Sequence, residues 1–323
     1  MNKKENMPIH FLFFGITLAV LFAACTPLEG DFASVMDKAR EKNNWVPNSG
    51  TGLAAQLANL QTSAKSNGSY NIYLSADETI KPTVLSYSGR TNISITLRSA
   101  GAERKISLSS IGPLFTVGSG VTLTLNNNVT LQGRSDNNNS LVHINGGGTL
   151  IMNSGSLITG NTSSTWGGGV YVDTNGTFNL SGGNISTNVC NAWGGGVFVN
   201  GGSFTMNSGS ISQNTSSANG GGVYIFDGNF TMNGGIINGN SAFAHDGEGG
   251  GVYVDGSGTF YIASGTIYGS NEIDTQKANT ASWGSALSGH AEYGYFNSGA
   301  WHHNGDLYDC DNTILVSGGV LQL

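Results

Sequence analysis

The chain has 323 residues, of which 50 are glycine, and only 10% are charged. A formal charge of −7 disfavours nucleic-acid binding, and a hydrophobic share of 38% suffices for a continuous core only if that core is narrow. Abundant glycine with little charge fits either a disordered segment or a repeated building unit, and periodicity decides for the unit.

The first 24 residues read as an address. "MNKK" is a basic opening, and "FLFFGITLAVLFAAC" is an apolar run too short and too near the start to be a spanning helix, so a cleaved export signal is expected. Phe22-Ala23-Ala24-Cys25 resembles the bacterial lipobox, with Phe22 where leucine is usual. The resemblance implies that Cys25 becomes the lipidated first residue of the mature protein, joined to a membrane by its acyl chains. Thr26 follows, in place of the Asp that usually retains such lipoproteins at the inner membrane, which implies the outer membrane or the cell surface. Residues 25–48 are read as tether and lead-in. In 49–66, Leu53, Leu57 and Leu60 fall on one helical face and predict a short amphipathic helix. Its role is to cap strand edges that would otherwise lie open.

The body of the chain, 67–323, is repetitive. Glycine triplets followed by valine begin at Gly167, Gly194, Gly220 and Gly249, spaced 27, 26 and 29 residues. Each leads into an alternating segment: Val170-Tyr171-Val172, Val197-Phe198-Val199, Val223-Tyr224-Ile225 and Val252-Tyr253-Val254. Alternation marks a strand with one buried face. A Gly, Asn or Asp turn follows, then a second strand carrying Phe178, Phe204, Phe230 or Phe260. A third carries Ile185, Ile211, Ile237 or Ile267 and ends at Asn188, Asn214, Asn240 or Asn271. Leu123 and Leu150 extend the phenylalanine column upstream, as Leu125 and Met152 extend the column of Leu180, Met206, Met232 and Ile262. "YNIYLSADETI" and "TNISITLRSA" read as irregular opening coils, and "NTILV" with "GVLQL" as a strand pair after an irregular last coil. The expected fold is all-β, a right-handed parallel β-helix with three short strands per coil of 26–29 residues and a short N-terminal capping helix. Stacked asparagines are expected to form a ladder of hydrogen-bonded amides.

The triplets "GGGV", paired with "ITGN", "ISTN", "ISQN" and "INGN", resemble the repeats of the polymorphic outer-membrane proteins. Those repeats join Gly-Gly-Ala-hydrophobic to Phe-x-x-Asn; here glycine replaces alanine and isoleucine replaces phenylalanine, across roughly Leu141 to Asn271. The resemblance implies a surface-displayed β-helix associated with adhesion. That family's C-terminal translocator barrel has no counterpart here, which leaves the lipid at Cys25 as the anchor.

Parallel β-helices also carry polysaccharide lyases and hydrolases, so fold does not decide function. Residues 135–323 hold twelve Asp and Glu against one base, Lys277, a formal charge of −11. That field repels an anionic polysaccharide, and no arginine follows Arg134 to act on one. A glycosidase needs two nearby carboxylates. Asp227 and Asp255 stand at matching corners of adjacent coils, yet "FDG" and "VDG" are also ordinary turn chemistry. "HDGE" (His245, Asp246, Glu248), "WHHN" (His302, His303) and His290 read as loop residues without a second ligand cluster. The acidic corners do not form the nonapeptide of a calcium roll, and triplets such as that at Asn184 follow from repeat composition. Cys190 and Cys310 lie about four coils apart at ~4.8 Å per coil, beyond the ~7 Å reach of a disulfide. No catalytic residue, metal or cofactor is assigned.

One surface pattern remains. With the valines facing inward, Tyr171, Phe198, Tyr224 and Tyr253 face out on successive coils, with His143 one coil earlier. Such a stripe can stack on sugar rings or on another protein, or can serve only to stack on itself. The sequence therefore predicts a lipid-anchored surface scaffold acting as an adhesin or binding protein for a glycan or a neighbouring cell's surface protein. A polysaccharide-active enzyme or carbohydrate-binding protein on the same fold is the alternative.

Overall fold

A computed structural model describes residues 52–99, 101–270 and 273–282, together with the backbone of the later strands Leu287–Gly289, Glu292–Asn297, Ala300–Asp306, Ile314–Ser317 and Val320–Gln322. Residues 1–24, read above as an export signal, and Cys25, Asn271, His290 and Cys310 lie outside the described residues. The fold is a parallel β-helix of about seven turns, with one short helix at its N-terminal side among the described residues.

Each coil runs through three strand-forming faces. Val170–Val172 pairs in parallel with Val142–Ile144 below and Val197–Ser212 above on the first face. On the second, Leu123, Leu150, Phe178, Phe204, Phe230 and Phe260 stand in one register. The third aligns Ile158, Ile185, Ile211, Ile237 and Ile267. Every one of these side chains is buried, because alternate residues of all three faces point at the same axis. The stack of Phe178, Phe204, Phe230 and Phe260 has ring centroids 4.3–4.8 Å apart and planes within 20° of parallel. The spacing is the inter-strand distance itself, so the backbone hydrogen bonds set the aromatic contact.

The opening coils are more regular than their sequence indicates. Ser69–Leu74 pairs in unbroken register with Ile93–Ser99, which pairs in turn with Val121–Leu125. Polar substitutions at outward positions hide the pattern from the sequence without disturbing the inward Ile72, Leu97 and Leu125. A fourth ladder was also missed. Two-residue strands Thr162–Ser163, Val189–Cys190, Thr215–Ser216, Ser241–Ala242 and Thr280–Ala281 stack just after the asparagine corner, too short to leave an alternation signal.

The asparagine column turns the corner between the third face and this fourth ladder. Asn214 Oδ1 accepts from the backbone N–H and the side-chain amide of Asn188 at 3.0 and 3.1 Å, and Asn240 Oδ1 does the same for Asn214. The Asn214 amide also donates to the Ile185 carbonyl at 2.9 Å. Each side chain thus satisfies main-chain groups that the bend would leave unpaired in the interior. The column continues down to Asn161 and Asn137. Upward, it is Asn279 that receives both bonds from Asn240, where the repeat period points to Asn271. An inserted loop after Ile267, in which Lys277 and Asp274 pair at 3.1 Å, moves the corner residue eight places along the chain. The residue before each of Asn161, Asn188, Asn214 and Asn240 is left-handed: Gly160 and Gly239 adopt this readily, whereas Thr187 (φ 57°) and Gln213 (φ 55°) do so against steric cost.

At the N-terminal side, Leu53–Ser63 forms the helix α1, with Leu53, Leu57 and Leu60 buried against the first coil. Its N-terminus lacks a capping side chain of its own, and the Glu78 carboxylate accepts the Leu53 N–H at 3.1 Å instead. At the other end the Arg90 guanidinium donates to the Gln61 and Thr62 carbonyls. Negative charge at the start and positive charge at the end complement the helix dipole. At the far side, Ile314–Ser317 runs antiparallel to Gly265–Ile267 and to Val320–Gln322, ending the parallel run on the third face. Among the described residues, no helix is long and apolar enough to cross a membrane.

Candidate functional site

The glycine triplets explain how an aromatic surface arises here. Gly167, Gly194, Gly220 and Gly249 have φ between 61° and 73°, a region open chiefly to glycine. A Cβ on the second glycine, Gly168, would lie 2.1 Å from the Gly195 carbonyl of the next coil. The triplet therefore combines a sharp left-handed turn with a close backbone approach between coils. The residue before it stands on the rim of the first face. In two successive coils that residue is tryptophan, and the backbones of Trp166 and Trp193 are directly bridged.

Beyond the turn, Tyr171, Phe198 and Tyr224 do turn away from the main core, and with Tyr253 they form a second apolar cluster. Their rings stack at 5.6, 5.0 and 5.3 Å, and His143 meets Tyr171 edge-on at 4.6 Å. This layer is not the open stripe the alternation predicts. Tyr171, Phe198 and Tyr224 are only 5–8% exposed. Trp166 leans over Tyr171 and Phe198 at 6.0 and 6.1 Å, and Trp193 over Tyr224 at 6.2 Å. Solvent meets the indoles, which are 45% and 39% exposed. His143 and Tyr253, at the two ends of the layer, are half-buried.

On the other rim the strands end in polar corners. The Asn200 amide donates to the Tyr171 hydroxyl at 2.9 Å, and the Tyr224 hydroxyl donates to Asp255 Oδ2 at 2.6 Å. Each tyrosine is thus held by the corner of the coil above. Burial, reinforced by the neighbouring Asp255 carboxylate, pushes the Tyr224 phenol well above the ordinary tyrosine range; burial likewise raises Tyr171 and Tyr253 and lowers His143. Phe198 has no hydroxyl to offer, and the corner above it behaves differently. Asp227 Oδ1 there accepts the Ser257 backbone N–H and hydroxyl at 2.9 and 2.8 Å, bonds that hold its carboxyl below the usual range. Between Ile225 and Asp227 the register slips by one residue, and the extra residue, Phe226, stands 40% exposed on this rim.

Together these groups form a half-open cleft of about 340 Å³. Tyr171, Phe198 and Tyr224 line its floor, Trp166 and Trp193 one side, and Asn200, Phe226 and Asp255 the other. Sequence reasoning found the floor but not the sides. A signal for the tryptophans was present, since Trp166 and Trp193 precede identical triplets where later coils place Asn219 and Glu248. Phe226 is visible as the extra residue in "VYIFDG" against "VYVDGS".

The other candidates do not converge. Asp227 and Asp255 are engaged in turn contacts, and Gly256 N–H donates to Asp255 Oδ1 at 2.7 Å. His245 and Asp246 pair with each other at 2.6 Å on the open surface. His302 and His303 lie on Ala300–Asp306 opposite Tyr295 and Gly294. Cys190 is buried as a free thiol, pushed up to about 11 by that burial. Among the described residues, no three His, Cys, Asp or Glu side chains gather as metal ligands would. No family model matches the chain, and no curated protein or solved structure matches it.

Proposed function

We propose that this chain is a lipid-anchored, surface-displayed binding scaffold, an adhesin in the broad sense, that holds its ligand in the aromatic cleft without transforming it. The observation that carries this reading is the coincidence, on three successive coils, of exposed Trp166, exposed Trp193 and the bulged Phe226 around a common aromatic floor. Structural stacking alone calls for no bulge and no exposed indoles, since the phenylalanine column inside the same coils manages without either. Exposed aromatics around a concavity are the usual basis of small-ligand recognition. The absence of catalysis is supported by the cleft's single carboxylate, Asp255, which is committed to Tyr224 and Gly256. The surface location rests on the lipobox-like Phe22 to Cys25 and on the likeness of the repeats to those of the polymorphic outer-membrane proteins.

The test is protease treatment of intact cells expressing the protein, followed by attachment to a glycan- and cell-coated surface. The expected result is loss of the protein and of attachment together, and release from the membrane by Cys25→Ser. A protein protected until the outer membrane is broken would overturn the surface reading.

A further inference from the structure

The floor of the cleft and one side are aromatic, Phe226 adds a ring on the side it shares with Asn200 and Asp255, and of the lining residues only Asp255 is charged. We infer that the cleft takes a quaternary ammonium group, the trimethylammonium head of a choline-type ligand; the inference rests on the reading above that the cleft is the ligand site.

The argument is one of chemical matching. A sugar ring satisfies its hydroxyls through several donors and acceptors, and here the polar groups already serve the tyrosines. The Asn200 amide donates to Tyr171, and Asp255 accepts from Tyr224 and Gly256. A quaternary ammonium needs no hydrogen-bond partner, because its charge is spread over methyl groups that carry no donor. What it needs is the negative face of several rings and a nearby counter-charge. Trp166 and Trp193 on one side, Phe226 on the other and the stacked floor supply the rings. The Asp255 carboxylate supplies the charge, fixed in place by its two bonds. The wider field agrees, since residues 135–323 carry a formal −11 with Lys277 as the only lysine or arginine, which draws a cation in and disfavours an anion. Phe226 gains a purpose in this arrangement: the register slip that exposes it closes the side opposite the indoles.

The experiment titrates choline and tetramethylammonium chloride into the full chain, following indole fluorescence and heat. Dimethylbutanol, which replaces the trimethylammonium head with a tert-butyl group, is the uncharged control. Choline is expected to saturate and to bind roughly tenfold more tightly than the control, with Asp255→Asn removing about that factor and Trp193→Ala abolishing binding. The amide oxygen introduced by Asp255→Asn would keep an acceptor for Tyr224, and a thermal melt of each variant verifies folding. Vesicles of phosphatidylcholine against phosphatidylglycerol separate the two sources of the group: co-sedimentation with the first alone assigns a lipid head, and binding of free choline without vesicle binding assigns a soluble ligand. Equal affinity for choline and its uncharged isostere, or undiminished binding by folded Asp255→Asn, overturns the inference. Glycan binding that is lost in Trp193→Ala, with no response to choline, sinks the ammonium ligand and leaves the scaffold standing. Choline binding by a protein shielded from external protease does the reverse.

Discussion

Two aromatic stacks run through the same coils, one inside and one outside. The inner column of Phe178, Phe204, Phe230 and Phe260 is wholly buried, with centroids 4.3–4.8 Å apart. The outer column of Tyr171, Phe198, Tyr224 and Tyr253 repeats at 5.0–5.6 Å and carries hydroxyls, indoles and polar corners around it. The coil spacing brings like side chains together in both, so stacking by itself is a property of the fold. Across the four coils that carry both stacks, the inner position is always Phe, whereas the outer column and its rims alternate Tyr with Phe, Trp with Asn or Glu, and Asn with Asp. Uniformity fits a structural stack, and variation at fixed positions fits the proposed ligand surface.

The first way to break this comparison is truncation in each column. Phe204→Ala opens a cavity that two fully packed neighbours cannot fill and is expected to cost about 4 kcal/mol, against about 2 kcal/mol for Phe198→Ala, where the rim tryptophans can settle inward. Denaturant unfolding of the two variants measures the difference, and equal costs would place both stacks in one core. Next comes Asn214→Ala, which strips partners from the Asn188 main-chain N–H and the Ile185 carbonyl in the interior. A loss of about 3 kcal/mol is expected, with hydrogen exchange accelerated at the same corner in the adjacent coils. In the opposite direction, Thr187→Gly removes a β-branched residue from φ 57° and should stabilise by roughly 0.5–1 kcal/mol, as read from a melting curve.

A smaller effect concerns pH. Burial lowers the His143 pKa, so the folded state resists protonation while the unfolded chain accepts it at the ordinary value; the Asp173 carboxylate partly opposes the shift. The stabilising contribution is therefore complete above the unfolded pKa of about 6.5 and declines as pH falls through it towards the lower folded value. His143→Phe keeps an edge for Tyr171 but cannot titrate. Its melting temperature is expected to fall less than that of the wild type between about pH 7 and about pH 5.

How much of this could be read from the sequence depends on how local each signal is. Val170 to Val172, Phe178 and Ile185 announce the three faces because alternation is written into adjacent residues and recopied in the next coil. The capping helix was legible from Leu53, Leu57 and Leu60 for the same reason. Asn279 was hidden because a loop insertion breaks the period, and only the hydrogen bonds from Asn240 reveal it. The cover over the stripe was hidden because Trp166 precedes a left-handed glycine turn, and the direction in which such a turn throws a side chain is not written in spacing. Asp255 reads from the sequence as a turn residue, which it is; that it holds Tyr224, and Asn200 holds Tyr171, depends on contacts 31 and 29 residues away.

The claim at the centre is that the outer column serves binding while the inner one serves the fold. The direct test is the double variant Trp166→Ala with Trp193→Ala, measured side by side with the wild type for melting temperature and for choline binding. A melting temperature within a few degrees of the wild type, with binding lost, is the predicted outcome. A collapse of the fold, or a stable variant that still binds choline, would contradict it.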